Sequence, residues 1–353
     1  MQKKRYVELD ALRGLAAVLV VFFHFTMGRK EALSGFELGV TGVDLFFIIS
    51  GFVIFMSVDK MATAREFVIG RFSRLYPTYW TCVTLTFLLV LLSEYILSRK
   101  TIGLYPIWLY ATNMTMFQYY LGVSDLDGPY WTMIIEIIFY VVILVLFISN
   151  QLKNVEWWGI GGLALVVIYD YVLVSFCPNV YHILAVWFPL INHLPLFYAG
   201  ILFFRISTEK TSYIRRYTLI VLCCIIQIGL YDNGGQSRLF ISHAQYSTML
   251  LIYFALFIAF IHGKLRFIVN PITLYLGTIS YALYLIHQYL GVHILIPRLT
   301  LWLGMNFWIA ILISLIICIL IAGFITTYIE APMRVRIKEV LSSGKFKAIQ
   351  VKV

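Results

Sequence analysis

The stretch Ala11-Leu12-Arg13-Gly14-Leu15-Ala16-Ala17-Val18-Leu19-Val20-Val21-Phe22-Phe23-His24-Phe25-Thr26-Met27-Gly28 decides the fold class. It is apolar except for one guanidinium and one imidazole. A helix of about 20 such residues crosses the ~30 Å of hydrocarbon in a bilayer. Lys3, Lys4 and Arg5 precede it and no small-x-small cleavage pattern follows, so it reads as a first membrane helix, not a cleaved leader. The same signature recurs at 41–59, 76–97, 130–149, 157–176, 184–204, 217–231, 244–262, 272–296 and 304–329. The seventh of these spans is short, and the sixth is interrupted by Pro189 and Pro195. The apolar stretch 104–121 is broken by Asn113 and Gln118, which predicts an interfacial or re-entrant segment.

Composition agrees. Of 353 residues, 61% are hydrophobic and 12% charged, where a soluble domain carries about a quarter charged. Mean hydropathy is +0.88. The net charge of +10 sits in short loops, so membrane topology explains it better than nucleic acid does. With the N-terminus in the cytoplasm, 20 Lys and Arg fall on the inner side against 6 outside, Arg13 lying within the first span. The prediction is an all-α polytopic membrane protein of about ten transmembrane helices, both termini cytoplasmic. Residues 1–335 would form the transmembrane domain and 336–353 a short basic cytoplasmic tail. Cys82, Cys177, Cys223, Cys224 and Cys318 lie in or beside apolar runs, without the paired spacing of a disulfide or zinc site. They read as apolar fillers, and no metal is expected.

Ionisable side chains cost several kcal/mol inside a bilayer unless they face a cavity or a partner. Each is therefore a candidate for function. Arg13 and His24 are 11 residues apart, within about 20° of three full helical turns, so they share one face about 16 Å apart. Arg13 falls near the inner surface, beside Asp10, and His24 in the outer half. Asp44 opens the second span at a similar depth. It is placed either to orient an imidazole or to cap its helix. Ser50 follows on the same span. Arg71 and Arg74, three apart in a basic cytoplasmic segment, suit phosphate. Glu136 lies about two turns into the fourth span, with Tyr140 one turn deeper on the same face and Trp131 at the span's start. Ser280, Tyr284 and His287 share a face of the ninth span. Glu330 ends the tenth span and stands four residues from Arg334, as in a surface pair. Two polar centres result: one cationic and cytoplasmic (Arg13, Arg71, Arg74), the other proton-active and outer (His24, Asp44, Glu136, His287).

Read in series, these stretches resemble the acyltransferase-3 family of membrane O-acyltransferases. The matching elements are Leu9-Asp10-x-Leu12-Arg13-Gly14, the Arg13-x10-His24 spacing, Gly42-Val43-Asp44-Leu45-Phe46-Phe47 with Ser50-Gly51-Phe52, and Arg71, Arg74 and Pro77. Trp131-Thr132 with Glu136, Ser280-Tyr281-x-x-Tyr284-Leu285-x-His287 and Glu330-x-Pro332 complete the set. The resemblance implies acetyl-coenzyme A as cosubstrate, no permanently bound cofactor, and a carbohydrate or lipid-linked saccharide hydroxyl as acceptor. It implies essential roles for Arg13 and His24, coenzyme contacts at Arg71 and Arg74, and residence in a bacterial inner membrane. The lipid bilayer is a partner, nucleic acid is not, and a homo-oligomer is compatible with the reading. Some family members carry an extra hydrolase-like domain outside the membrane. This chain is too short for one, so direct transfer or a separate partner is expected. A rival class is a secondary transporter using His24, Asp44 and Glu136 as a proton relay. The matched broken halves of many transporters are not seen. A third reading, a structural subunit of a polysaccharide assembly complex, leaves the buried ionisable groups unexplained.

Overall fold

A computed structural model of the protein describes residues 6–32, 35–96, 103–209, 211–232 and 235–342. Among these the regular structure is helical, without a strand. The principal helices are α1 (Val7–Thr26), α2 (Gly42–Val58), α3 (Ala64–Val90), α4 (Tyr105–Asn113), α5 (Trp131–Ile148), α6 (Val155–Val167) and α7 (Pro178–Trp187). They continue as α8 (Leu194–Thr208), α9 (Tyr213–Gly229), α10 (His243–Ile261), α11 (Pro271–His287), α12 (Phe307–Phe324) and α13 (Ala331–Ser342).

Eight helical segments among the described residues are long and apolar enough to cross a membrane, and α8, at 15 residues, is a shorter apolar helix. Each of the ten expected spans coincides with helix, but the sixth is not one span. Residues 184–204 divide into α7, a 3-10 turn at Pro189–Asn192, and α8. A proline ring cannot donate a backbone hydrogen bond and clashes with the preceding turn, so Pro189 and Pro195 each open a new helical segment. The stretch 104–121 contains only the nine-residue α4, too short to span. The tenth expected span, 304–329, is followed by α13 as far as Ser342, and the remainder of the basic tail lies outside the described residues. Exposure is inverted relative to a soluble protein: Leu320 is 64% exposed while His287 is fully buried and Arg216 is 3% exposed.

The chain forms two compact units, residues 1–59 with 131–280 and residues 60–130 with 281–353. The division falls inside α11, between Ser280 and Tyr281.

In the first unit, helices meet backbone to backbone at glycines. A Cβ on Gly51 would lie 2.0 Å from the Phe197 carbonyl oxygen, and one on Gly200 2.1 Å from that of Ile48, so α2 and α8 need both glycines to touch. A Cβ on Gly277 would lie 2.0 Å from the Asp10 carbonyl oxygen, and one on Gly14 2.7 Å from the Gly277 nitrogen. These fix the crossing of α1 and α11. Small residues at such crossings replace the hydrophobic drive that lipid cannot provide. The end of this unit holding the start of α6 and the start of α9 carries an ion-pair network. Arg216 Nε donates to Glu156 Oε1 at 2.8 Å, its Nη2 donates to Glu209, Arg215 pairs with Glu156, and Arg205 pairs with Glu209. Burial pushes the Glu209 carboxyl up, but the bonds from Arg205 and Arg216 outweigh it and hold it below the ordinary value. Sequence reading counted these arginines only as inner-side charge.

In the second unit, Thr63 caps α3 by accepting from the Glu66 amide at 3.2 Å, and Glu66 accepts in return from the Ala62 amide at 3.1 Å. Pro77 lies within α3, and the Tyr281 hydroxyl donates to the Leu75 carbonyl two residues earlier at 3.3 Å. The loop after α4 is held by Asn113, whose amide donates to the Leu109 and Ser124 carbonyls and whose carbonyl accepts from the Leu126 amide.

Breaking a buried ion pair from one side strands the other charge, at a cost of about 3–5 kcal/mol. Glu156→Ala is therefore expected to destabilise the protein by about that amount, seen as a lower temperature of aggregation in detergent. Gly51→Leu should leave no monodisperse protein on size exclusion, because α2 can no longer seat on α8.

Candidate functional site

In the first unit, α1 is one uninterrupted helix carrying both Arg13 and His24, each half-buried. The His24 Nδ1 lies 3.0 Å from the Val20 carbonyl oxygen. A carbonyl only accepts, so Nδ1 is the protonated nitrogen, and in the neutral ring Nε2 carries the lone pair. The ring is thereby oriented by its own helix. Arg13 stands directly before the Gly14–Gly277 crossing, and Asp10 supplies the carbonyl that touches Gly277.

Asp44 sits in the first turn of α2, buried, and makes no side-chain cap there; Thr41 holds the N-cap position. Its electrostatic neighbours include Tyr246 and Tyr253 of α10. The Thr41 hydroxyl donates to the Leu38 carbonyl at 2.7 Å, so the Tyr253 hydroxyl donates to Thr41 at 2.8 Å.

Glu136 joins two of the sequence candidates. One carboxylate oxygen accepts a short hydrogen bond from the Tyr140 hydroxyl and a second, at 3.4 Å, from Ser50 of α2. The Ser280 hydroxyl donates to the Gly277 carbonyl at 2.9 Å, so its proton is held within α11.

The second unit holds the remaining candidates. The Arg71 guanidinium lies 5.6 Å from the centre of the Phe67 ring, one turn earlier on α3. Glu330 accepts from the Thr78 hydroxyl at 2.9 Å and is within electrostatic reach of both Arg74 and Arg334. The expected surface pair is thus a cluster of two cations around one carboxylate, net positive and suited to a polyanion. His287 is fully buried and its Nδ1 donates to the Tyr284 carbonyl at 2.8 Å, as His24 does to Val20. From His287 onward the helix widens into a π segment, Gln288–Leu295. There Asp127 accepts from the Tyr289 amide at 3.1 Å. Such widened turns frequently mark functional sites. Burial pushes the Asp127 carboxyl up to about 7.

Sequence reading missed Asp127, and it missed His193 and Gln227 in the first unit, which are buried polar groups at helix ends. The signal was available for Gln227, an amide inside the predicted span 217–231.

The fold and these inward-facing groups define a multi-pass helical membrane protein with ionisable chemistry in its interior. The profile of the acyltransferase-3 family, described as an acyltransferase domain, matches residues 6–327. The chain belongs to that family and is a membrane acyltransferase. It is 24% identical over 299 residues to a predicted acetyltransferase, ORF330, of Acidianus two-tailed virus, covering 81% of this chain and 84% of that one. It is 29% identical over 170 residues to the O-acetyltransferase OatA of Staphylococcus aureus, covering 43% of this chain and 27% of that protein. A third relative, Protein 2 in the picA locus of Rhizobium radiobacter, is 34% identical over 108 residues, 29% of this chain and 51% of that one. No solved structure matches.

A carboxyl whose folded value is raised favours the protonated fold. Its stabilising contribution is present below about pH 4 and is lost as pH rises through about 7. Asn in its place still accepts from the Tyr289 amide. Asp127→Asn should therefore gain unfolding temperature over the wild type progressively from about pH 4 to about pH 7 and hold that gain above it, read by thermal unfolding in detergent. A difference independent of pH would contradict this.

Proposed function

We propose that the protein transfers an acetyl group from cytoplasmic acetyl-coenzyme A to a hydroxyl of a cell-surface or precursor carbohydrate, with His24 as general base. The observation that carries this reading is the His24 Nδ1–Val20 bond, which leaves the lone pair on Nε2. An acceptor hydroxyl attacks the thioester carbonyl while Nε2 takes its proton. The tetrahedral intermediate collapses by breaking the carbon–sulfur bond. The coenzyme thiolate leaves and takes the proton back from the imidazolium, so that an ester and free coenzyme A result. Asp44, or Glu136 held by Ser50 and Tyr140, orients the His24 ring and stabilises its charged form. Arg71 and Arg74 hold the coenzyme phosphates, and Arg13 is a further essential cation on the cytoplasmic side. Tyr284 and His287 support the second unit's part of the reaction.

Membership of the acyltransferase-3 family and the name of the staphylococcal relative support acetyl transfer to oxygen. The bacterial relatives support a bacterial cytoplasmic membrane. The charge asymmetry of the loops supports a donor site on the inner side.

In membranes supplied with radiolabelled acetyl-coenzyme A, His24→Ala is expected to lose transfer by about 100-fold or more. Arg71→Ala should raise KM for the coenzyme about tenfold, the loss of about 1.4 kcal/mol of binding, with kcat retained. Wild-type transfer by His24→Ala ends the general-base role. Mass spectrometry of surface polysaccharide from cells with and without the gene should differ by one acetyl group per modified unit.

A further inference from the structure

Asp127, in the second unit, is buried and takes no part in the transfer chemistry. Its carbonyl accepts from the Tyr130 amide at 3.1 Å, closing the 3-10 turn Gly128–Tyr130. Tyr130 fixes that turn to α3. Its hydroxyl shares a hydrogen bond with Thr86 at 3.2 Å, and its ring lies 5.2 Å from the Tyr79 ring, centre to centre. From this fixed turn the Asp127 carboxyl accepts from the Tyr289 amide at 3.1 Å. Gly128 beside it approaches so closely that a Cβ there would lie 2.4 Å from the Gln288 Oε1. Two consecutive residues of the turn thus meet the two residues that follow His287.

The place of this contact matters. The helix is regular as far as His287 and widened over Gln288–Leu295. Widened bonds run from i to i+5, so the turn carries an extra residue. An extra residue can in principle sit at any turn of a helix, and each residue it passes is rotated by about 100° around the axis. Pro297 has no amide to return to the ladder and keeps the helix irregular further on. It does not fix where the widening starts. The Asp127 contact does. A side chain that takes the proton of a ladder amide loosens the ladder at that turn, and Asp127 takes it at the second residue of the widened segment.

His287 therefore lies between two ties to α3. Before it in the chain, the Tyr281 hydroxyl donates to the Leu75 carbonyl at 3.3 Å. After it, Asp127 holds the Tyr289 amide, and the Tyr289 hydroxyl shares a hydrogen bond with Ser93 at 2.9 Å. The His287 ring donates from Nδ1 to the Tyr284 carbonyl at 2.8 Å, so the ring goes where its own turn goes. The helix that receives both ties also carries Arg71 and Arg74. We propose that Asp127 is a positioning residue: it holds the start of the widened segment just beyond His287 and so keeps the imidazole at one rotation and height relative to α3. This rests on the acetyl-transfer reading, in which His287 supports the reaction. The tie does not depend on charge, because a carboxyl oxygen accepts from an amide in either protonation state.

The test uses the full-length protein, in native membranes with radiolabelled acetyl-coenzyme A for transfer and in nanodiscs for hydrogen–deuterium exchange. Asp127→Ala removes the acceptor and Asp127→Asn keeps it. Asp127→Ala should lower kcat about tenfold or more, leave KM for the coenzyme within about twofold, and speed exchange at residues 288–295 but not in α1. Asp127→Asn should keep kcat within about threefold of the wild type. A merely structural contact would lower the unfolding temperature of Asp127→Ala and leave kcat per folded molecule unchanged, and that result overturns the proposal. So does an Asp127→Asn variant as slow as Asp127→Ala. If Asp127→Ala does not fold, Asp127→Glu takes its place, with the acceptor displaced by one methylene. Transfer slowed about tenfold then supports the tie, and wild-type transfer overturns it. A wild type that transfers no acetyl sinks the acetyl-transfer reading, and exchange then decides alone. Faster exchange at 288–295 in Asp127→Ala upholds the tie, and unchanged exchange overturns it.

Discussion

Backbone contact between helices is the constraint on which the first unit depends. In lipid, helices gain little by hiding apolar side chains from an apolar solvent, and dispersion at close range must do more of the work. At Gly14, Gly51, Gly200 and Gly277 the neighbouring chain occupies the volume a Cβ would need. This explains much of the motif pattern on α1 and α2. Gly42 belongs to the same set, since its Cβ would lie 2.7 Å from a Val20 methyl. Val20 is also the residue whose carbonyl orients His24. The crossing of α1 and α2 thus fixes the helix turn that presents the imidazole, and a packing requirement becomes a chemical one.

The second constraint is that polar side chains in such a helix must find partners locally or pay for isolation. Most take the nearest carbonyl, one turn back: His24 on Val20, His287 on Tyr284, Ser280 on Gly277. For a hydroxyl this ends its donor role. For an imidazole it does the opposite, because fixing the proton on Nδ1 defines Nε2 as the basic nitrogen. The same kind of local bond therefore seats the Ser280 hydroxyl on its own helix and sets the orientation of the His24 ring.

Much of this was legible in the sequence. Apolar run length located the helices, because a bilayer imposes one length on them. The rule that intramembrane charge is expensive located Glu136, helix periodicity added Tyr140 and the motif on the second span added Ser50, and the structure joins these into one hydrogen-bonded group. What was not legible depended on partners distant in sequence. Glu156 and Arg216 look like loop charges until the fold sets them 2.8 Å apart. Asp127 looks like the turn residue before Gly128-Pro129 until the widened helix after His287 presents the Tyr289 amide to it. The sixth span misled because proline was read as an interruption of one helix, whereas each proline begins a new one. That break is what sets Asn192 and His193 at the junction of two helical segments instead of on a helix face.

The two units sort charge differently. The second unit sets Arg74 and Arg334 around Glu330, a net positive group that can neutralise phosphates without burying an uncompensated cation. The first unit closes its own arginines, Arg205, Arg215 and Arg216, onto Glu156 and Glu209, and elsewhere buries an amide, Gln227, that donates to the Tyr246 hydroxyl. A group that binds a polyanion can discriminate by charge and tolerate loose geometry.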